Sequence, residues 1–416
     1  MRDPRQELAA VLGRDAVSAT RSVTIDGLRS SAVAEPPDRE ALVEALRACG
    51  SEKFAVAPVG NGSALALGNA IERFDVALRT TRLSRILEYD PRDLVATVEP
   101  GVRVVDLLAK LQENGQTLPL DPAGVEDRTV GGLVATNAFG PKRARYGPPR
   151  DYVIGAALAT PDGKVTRAGG RVVKNVSGFD IHKLLCGSLG SFGVLVEISL
   201  KLKPLERSRR TVLLEARDAE AASEFFVKLG RGRFLPSAAD AWIEEEPRLR
   251  VAVLFEESVE AVAAQIEAVK ALGLEPSAVL DDDSDVWRAL REVARPADDA
   301  VVVRIACRPT AAIPLLVALR AKAGPGARAV ARPAAGAVIV RFDAGRGDGA
   351  RARIEDIRAG LPEGSFAVVE SAPADVKRSG VETLAIPGPA LEVHRRLKRV
   401  FDPERVLSPG RIGRGV

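Results

Sequence analysis

The sequence predicts an α+β protein in two main parts. Short apolar strands broken by glycine-rich loops run to Pro204, and strand–helix–strand units of ferredoxin-like rhythm follow from Thr211 to about Pro389. With 416 residues, the chain is long enough for two or three domains with their own cores. We therefore expect one domain over residues 1–205, a second over residues 206–390, and a C-terminal segment over residues 391–416.

The composition is typical of a globular enzyme. Hydrophobic residues make up 46% and charged residues 28%, which excludes a wholly disordered chain. The 60 basic and 56 acidic residues are interspersed and aromatic residues total 4%, so the sequence lacks the basic, aromatic-rich runs that bind nucleic acids. No apolar run reaches the length of a membrane-spanning helix, and the N-terminus lacks a signal-like apolar core. We expect a cytoplasmic protein with no nucleic-acid partner and no integral membrane segment.

Cysteine and histidine are too scarce for a metal site. Cys49, Cys186 and Cys307 are far apart and form no CxxC pair, so they predict neither a disulfide framework nor an iron–sulfur or zinc site. The two histidines are His182 and His394. A mechanism that needs several imidazoles on this chain is therefore excluded, and we predict no bound metal.

The first glycine-rich loop follows a buried-strand candidate at residues 54–57. The loop, PVGNGS at residues 58–63, has successive main-chain N–H groups that can hold phosphate oxygens, and Ser63 adds a hydroxyl. A plain turn remains the alternative at this point. The loop is not a Rossmann fingerprint, because the third glycine would fall at Leu65, and no Gly-Lys-Ser/Thr follows it as in a P-loop.

The remainder of the first part contains two more glycine clusters. Short strands at 76–78, 86–89 and 94–98 and a helix at 104–114 precede them, and we divide the domain into subdomains of about 30–100 and 101–205. The second cluster lies in a long, aperiodic stretch, 118–151, which is uncommon unless it binds something. The third cluster, 187–193, comes directly before an apolar strand at 194–202. Its glycines indicate either tight turns or close approach of the backbone to a ligand.

The second part has the pattern of an antiparallel sheet covered by helices. One unit has strands at 212–214, 241–243 and 249–255 and helices at 219–229 and 259–272; the other has strands at 301–306, 337–342 and 366–369 and helices at 313–321 and 350–361. Such a sheet is suited to capping a ligand site. The acidic run at 281–285 is interpreted as a solvated helix start, in preference to a metal site.

The order of these segments resembles the PCMH-type FAD-binding domain of the vanillyl-alcohol oxidase family. Seven motifs match in the family's order: PVGNGS at 58–63, Gly101 with its helix, LPLDP at 118–122, TVGGLVATNA at 129–138, Tyr146-Gly147 with Asp151, GSLGSFG at 187–193, and FDP at 401–403 with SPGR at 408–411. Within the family, the segment 172–180 is most similar to the FAD-binding (E) subunit of bacterial glycolate oxidase.

The resemblance assigns roles to the three ranges. Residues 1–205 would bind FAD, residues 206–390 would form the cap or substrate domain, and residues 391–416 would return to the FAD domain. The FAD pyrophosphate would lie at the first glycine loop, with the second and third loops along the cofactor. The implied cofactor-binding residues are Pro58, Val59, Gly60, Asn61, Gly62, Ser63, Asp121, Pro122, Thr129, Gly131, Gly132, Thr136, Asn137, Leu189, Gly190, Ser191, Phe192, Gly193, Val194 and Leu195.

Two departures from the family pattern refine this expectation. Members with covalent FAD commonly use a histidine near the first loop or a cysteine near the second; Ser63 stands in the first loop, and Cys49 and Cys186 fall outside both. Non-covalent FAD is therefore expected. Members that oxidise D-2-hydroxy acids alone usually carry a histidine-rich metal cluster, and this sequence lacks one. We expect full catalysis to need a complex.

The resemblance implies an FAD-dependent oxidoreductase that acts on a small 2-hydroxy acid. Its partners would be a second FAD subunit and an iron–sulfur subunit. Two alternatives stay open: a self-sufficient FAD oxidase or dehydrogenase of another alcohol, and a scaffold whose FAD is structural. The reaction needs a cation for the substrate carboxylate and a base for the hydroxyl proton. The sequence leaves these groups undetermined, with Lys174, Asn175, His182 and Arg304 as weak candidates.

Overall fold

A computed structural model describes residues 2–18, 20–172, 178–245, 248–281, 283–345 and 349–416. In these ranges, the N-terminal region contains helices α1 (Pro4–Leu12) and α2 (Arg39–Glu52) and strands β1 (Val17–Ser18), β2 (Thr24–Ile25), β3 (Leu28–Arg29), β4 (Ala32–Ala34), β5 (Val56–Val59) and β6 (Val76–Arg79). Strands β1, β4, β6 and β5 form one sheet in that order, and β4, β6 and β5 run parallel.

Helix α2 shows how local sequence sets this first sheet. The Asp38 side chain accepts a hydrogen bond from the Ala41 N–H and caps the helix. Leu42, Leu46 and Cys49 then recur at helical spacing and are buried against the sheet. The sheet is extended by the C-terminal segment, because the Val56 backbone N–H donates to the Val406 carbonyl and the Val56 carbonyl accepts from Ser408.

A second sheet follows and is antiparallel. It has the order β11-β10-β12-β8-β7. This region comprises β7 (Ile86–Asp90), β8 (Val95–Val98), α3 (Val104–Gln112), β9 (Gln116–Thr117), α4 (Val130–Thr136), α5 (Arg143–Tyr146), β10 (Val153–Ala159), β11 (Val165–Gly169), α6 (Ile181–Leu184), β12 (Val194–Lys201) and β13 (Lys203–Pro204). Residues of β10 and β12 pack into the same apolar cluster as α2, so the two sheets lie against each other.

Two expectations about this region need correction. Strands β7 and β8 pair with the second sheet, since Val98 of β8 lies opposite Ile198 of β12. The change of sheet therefore falls between Arg79 and Ile86 and not near residue 100, because pairing with a strand a hundred residues later leaves no local signal. The long aperiodic stretch also contains α4, which the sequence did not predict because its two glycines weaken the helical pattern.

The C-terminal part is built on one eight-stranded antiparallel sheet. Its order is β17-β14-β16-β15-β19-β20-β18-β21. The elements are β14 (Ser208–Ala216), α7 (Ala219–Arg231), β15 (Ala238–Glu245), β16 (Arg248–Glu257), α8 (Val259–Lys270), β17 (Glu275–Leu280), α9 (Ser284–Glu292), β18 (Ala300–Ala306), α10 (Ala312–Ala323), β19 (Arg328–Arg332), β20 (Ala337–Asp343), α11 (Gly349–Ala359), β21 (Phe366–Ser371), α12 (Ala374–Arg378) and α13 (Gly388–Phe401).

The two predicted strand–helix units are thus joined in a single sheet. One face packs against α7, α8, α10 and α11 in the largest apolar cluster of the described residues. The other face carries Trp287 and Leu290 of α9 in a smaller cluster. The sequence missed β17 and β19, which are short and alternate weakly.

The expectation that the whole acidic run at 281–285 is solvated is wrong for its central residue, Asp283. Asp283 is 4% exposed and its carboxylate lies 2.8 Å from the Arg209 guanidinium. The Thr211 hydroxyl donates to the same carboxylate at 2.5 Å and accepts from the Trp287 indole N–H at 2.8 Å. The run therefore begins α9 as predicted but also ties α9 to β14. No described helix is both long and apolar enough to span a lipid bilayer.

Candidate functional site

The main cleft lies where the three glycine-rich loops and the C-terminal segment meet. It encloses about 940 Å³ of free space, part of it continuous with solvent. The loop after β5 forms one wall, α4 another and the loop before β12 a third, while Ser408 and Arg411 reach it from the C-terminal segment. Segments far apart in sequence thus enclose a single cavity.

The first loop presents unused backbone donors to this cleft. The N–H groups of residues 60–63 make no hydrogen bond to any part of the chain that the structure describes. Gly62 has φ +84°, a conformation that side-chain-bearing residues rarely adopt. A Cβ at Gly60 would lie 2.3 Å from the Thr129 hydroxyl oxygen, so Gly60 is required for the first loop to pack on the second. Consecutive free N–H groups in a concave loop form an anion cradle.

The third loop is fixed against the other two. The Leu189 N–H donates to the Ala135 carbonyl at 2.9 Å, and a Cβ at Gly190 would lie 3.0 Å from the Pro58 ring. Leu189 itself has φ +49°, an unusual conformation for a branched apolar residue, and it lines the cleft. Strained backbone of this kind is concentrated at ligand sites.

The structure brings together most of the predicted cofactor residues. Fifteen of them line the cleft: Pro58, Val59, Gly60, Asn61, Gly62, Ser63, Thr129, Gly131, Gly132, Thr136, Leu189, Gly190, Gly193, Val194 and Leu195. The other five lie elsewhere. Pro122 and Asn137 line a neighbouring cavity, Asp121 borders a third, and Ser191 and Phe192 are buried behind the third loop.

Several residues of the cleft were missed by the sequence interpretation. Arg128 directly precedes the TVGG motif, and Ser408 and Arg411 belong to the C-terminal SPGR motif that the resemblance had already pointed to. That motif was the available signal for the last two residues. Apolar residues such as Leu65 and Ile71 carry no signal of their own, because any buried residue looks the same.

A buried charged cluster supports the first loop from behind. The Lys377 ammonium donates to the Asp26 carboxylate at 2.7 Å and to the Ala66 carbonyl at 2.6 Å. Arg411 contacts the second oxygen of Asp26 and donates to the carbonyls of Leu65 and, at 3.0 Å, Asn69. Burial lowers the pKa of Lys377 to about 8. The cluster, two cations and one anion, thus holds the chain immediately after the anion cradle.

A second cavity adjoins the cleft and lies against the eight-stranded sheet. It encloses about 490 Å³ and shares Leu67, Arg128 and Thr136 with the cleft. Three arginines and one glutamate are its charged lining residues: Arg128, Arg304, Arg332 and Glu370. Its apolar lining is Leu67, Pro122, Ala123, Ala138, Phe139, Ala294, Pro296 and Ile339. A small anion held here would lie next to a ligand of the cleft.

The four residues considered as catalytic candidates lie in different places. Arg304 lines the second cavity, and its Nε lies 2.6 Å from a Glu370 carboxylate oxygen. His182 is buried beside Gly169 and lines neither cavity, and burial lowers its pKa. Lys174 and Asn175 lie outside the described residues. Arg304 is therefore the candidate that the described structure brings to the second cavity.

The cleft fits a flavin dinucleotide. Its free N–H cradle is suited to a pyrophosphate, and its other walls are apolar side chains and backbone. Cys49 lies in an apolar core and Cys186 borders a separate pocket, so neither thiol faces the cleft. None of the described residues that line the cleft is a histidine, cysteine or tyrosine.

Comparison with known proteins identifies the cofactor class. The family model described as FAD binding domain matches residues 30–169, and the model described as FAD linked oxidases, C-terminal domain matches residues 384–412. A solved structure of alkyldihydroxyacetonephosphate synthase has the same fold, with a TM-score of 0.71 over 98% of this chain and 86% of that one at 15% identity. The chain therefore contains an FAD-binding domain and has the PCMH-type fold, with a C-terminal segment that matches the C-terminal domain of FAD linked oxidases.

Relatives of this chain include proteins named as glycolate oxidase subunits and D-lactate dehydrogenase. The chain is 38% identical to glycolate oxidase subunit GlcE of Escherichia coli (strain K12) over 44% of its length and 53% of the relative. It is 30% identical to glycolate oxidase subunit GlcD of Bacillus subtilis (strain 168) over 50% of its length and 44% of the relative. D-lactate dehydrogenase of Archaeoglobus fulgidus is 28% identical over 56% and 55% of the two chains. The matches span about half the length of these relatives.

Proposed function

We propose that this chain is the FAD-binding subunit of a glycolate oxidase-type 2-hydroxy-acid dehydrogenase, which passes electrons to a partner subunit. The observation that carries the proposal is the continuity of an anion cradle with an arginine-lined cavity: Leu67, Arg128 and Thr136 border both. A dinucleotide in the first space would have its reactive end beside a small anion in the second. The relatives, glycolate oxidase subunits and D-lactate dehydrogenases, support the same chemistry.

The cofactor site needs no covalent link in this proposal. The free N–H groups of residues 60–63 would hold the pyrophosphate, and the Asp26–Lys377–Arg411 cluster would keep that loop in place. FAD, when bound, supplies a two-electron acceptor for the substrate hydride. Since no histidine, cysteine or tyrosine is among the lining residues that the structure describes, the flavin would be released by denaturation.

The second cavity would orient the substrate. Its arginine-rich lining provides a cation for a carboxylate, and its apolar lining excludes bulk water. Glu370 is the one carboxylate among its described lining residues and is the available acceptor for a hydroxyl proton. Its ion pair with Arg304 holds it in place at 2.6 Å.

The proposed partners are a second FAD subunit and an iron–sulfur subunit. Support comes from the glycolate oxidase relatives and from a sequence whose three cysteines form no CxxC pair. Electrons would leave this chain through such a partner. The partner identities, the cytoplasmic location and the domain boundaries remain predictions.

The test begins with the purified chain and FAD. We expect a yellow, dissociable flavoprotein whose FAD is released on acid precipitation, and we expect Gly62→Val to lose it. Gly230→Val is the matched control, because Gly230 lies on α7 with no atom near its missing Cβ. A wild-type chain that neither binds FAD nor gains thermal stability from it would refute the proposal.

Substrate oxidation is tested with and without partners. Glycolate and D-lactate are added with an artificial electron acceptor, first to the chain alone and then to a co-expressed complex. Flavin bleaching that needs the partners supports the subunit role, and bleaching by the chain alone would favour a self-sufficient enzyme. A complex that stays active when Gly62→Val has removed FAD from this chain would favour a structural flavin.

A further inference from the structure

Arg128, at the junction of the two cavities, makes no ion pair with a described carboxylate; Glu370 and Glu292 act on it only at longer range. We propose that its guanidinium binds the substrate carboxylate and that its single free charge selects monocarboxylates over dicarboxylates. This inference rests on the proposed function. It names a residue and a substrate class that the glycine-rich loops do not define.

Arg128 is buried without a counter-ion. The residue is only 4% exposed, and no described carboxylate lies within ion-pair distance of its guanidinium. Its Nε donates to the Ala123 carbonyl at 2.9 Å, and one terminal nitrogen lies 3.4 Å from the Thr136 hydroxyl. A guanidinium has five N–H donors, so about three remain for a ligand. Burial lowers its pKa to about 10, which leaves it charged at neutral pH.

The other two arginines of the cavity are neutralised. Arg304 lies 2.6 Å from Glu370, and Arg332 lies 3.2 Å from Asp240, a carboxylate that is 1% exposed. The charges of Arg304 and Arg332 are already balanced, so a second anion bound to either one would add negative charge without a compensating cation. Arg304 is therefore a poor carboxylate clamp, and the role passes to Arg128.

The remaining surroundings limit the substrate charge to one. The second cavity is otherwise lined mainly by apolar residues such as Pro122, Phe139 and Ile339. A further guanidinium, Arg143, does not line the cavity and stacks on the Phe139 ring at 4.0 Å. A dicarboxylate would place its second charge against this apolar lining, where the described lining residues offer no second free cation, which is strongly unfavourable.

The position also suits a reaction at the flavin. Arg128 directly precedes Thr129, the residue that caps α4. The backbone carbonyl of Arg128 accepts a hydrogen bond from the Val104 N–H at 2.9 Å. Its backbone is thus held by α3 and α4 while its side chain borders both cavities. A carboxylate fixed there would lie beside the cleft, within reach of its occupant.

The experiment measures binding to the FAD-loaded chain, apart from turnover. Glycolate, D-lactate and D-malate are titrated into wild type, Arg128→Met, Arg128→Lys and the control Arg231→Met, by calorimetry and by the flavin absorbance change. Arg231 is exposed and lies at the end of α7. We expect wild type to bind both monocarboxylates at least tenfold more tightly than D-malate, and Arg128→Met to lose at least tenfold, with partial recovery in Arg128→Lys.

Stability separates this role from a structural one. Removing an uncompensated buried charge should leave the melting temperature of Arg128→Met equal to or above that of wild type. Loss of FAD from Arg128→Met would overturn the inference, because the guanidinium would then serve the cofactor phosphates. Equal binding of D-malate and D-lactate would overturn the selectivity. Failure of every acid to bind a chain that retains FAD would refute this inference alone, whereas failure to bind FAD would refute the proposed function.

Discussion

Asp26 should be the most sensitive residue of the buried cluster behind the anion cradle. Its carboxylate is 2% exposed and contacts two cations, Lys377 and Arg411, and it also accepts the Ile71 N–H at 3.1 Å. Asp26→Asn preserves the shape and removes the charge. Two buried cations would then face each other without an anion, whereas Lys377→Met leaves a balanced pair of Asp26 and Arg411.

The expected magnitudes differ accordingly. Breaking a buried ion pair by removing one partner costs about 3–5 kcal/mol of stability, so Asp26→Asn should lose about that much. Lys377→Met loses the hydrogen bond to the Ala66 carbonyl and should cost about 1–2 kcal/mol. Both changes loosen the residues after the cradle, so FAD affinity should fall more for Asp26→Asn.

The cost of Asp26→Asn should also depend on pH, because Lys377 titrates near the range of the assay. The pKa of Lys377 is lowered from 10.5 to about 8 in the folded protein, so the unfolded chain binds more protons between these values and stability from this group rises with pH there. Without Asp26 the folded pKa falls further. The cost of Asp26→Asn should therefore be smaller at pH 9 than at pH 7.

The assay compares urea midpoints and thermal midpoints of wild type and both variants, without FAD, at pH 7 and pH 9. FAD affinity is then measured by flavin fluorescence. Lys377→Met serves as the matched control, because it removes a charge from the same cluster. If Lys377→Met proved as destabilising as Asp26→Asn, or if the cost of Asp26→Asn grew with pH, the charge-balance reasoning would be wrong.

Three further predictions concern other parts of the chain. Gly62→Val should weaken FAD binding at least tenfold, because its φ of +84° strains any β-branched residue; unchanged flavin content after gel filtration would contradict the cradle. Thr211→Val should lower the free energy of unfolding by about 2–4 kcal/mol, since it leaves the Trp287 N–H and the Asp283 carboxylate without their buried hydroxyl partner. Thr211→Ser keeps the hydroxyl and should retain most of this stability in urea titrations. Burial raises the pKa of Asp240 from 3.8 to about 6, so the folded protein retains this proton to higher pH than the unfolded chain does. The stability of wild type relative to Asp240→Asn should therefore fall by about 2 kcal/mol between pH 4 and pH 7, and a difference that does not change with pH would contradict this shift.

Local sequence predicted the features that depend on neighbouring residues. Asp38 caps α2 and Gly62 permits a left-handed turn, and both effects act within a few residues. The apolar strands β5 and β12 were predicted for the same reason, because burial of short alternating or continuous apolar runs is visible in the sequence. The glycine loops and their order along the chain were sufficient to indicate FAD as the cofactor.

Other features were decided only by the tertiary structure. Asp26 meets Lys377 and Arg411 across 351 and 385 residues, and Arg128 lacks a counter-ion among the described residues while Arg304 and Arg332 have one. Charged residues look alike in a sequence, because burial and pairing are set by which segments the fold brings together. The sequence by itself thus determined the cofactor class and the order of the glycine-rich loops that we propose hold it. The tertiary structure decided which charges are balanced, and hence which arginine is free to bind an anion.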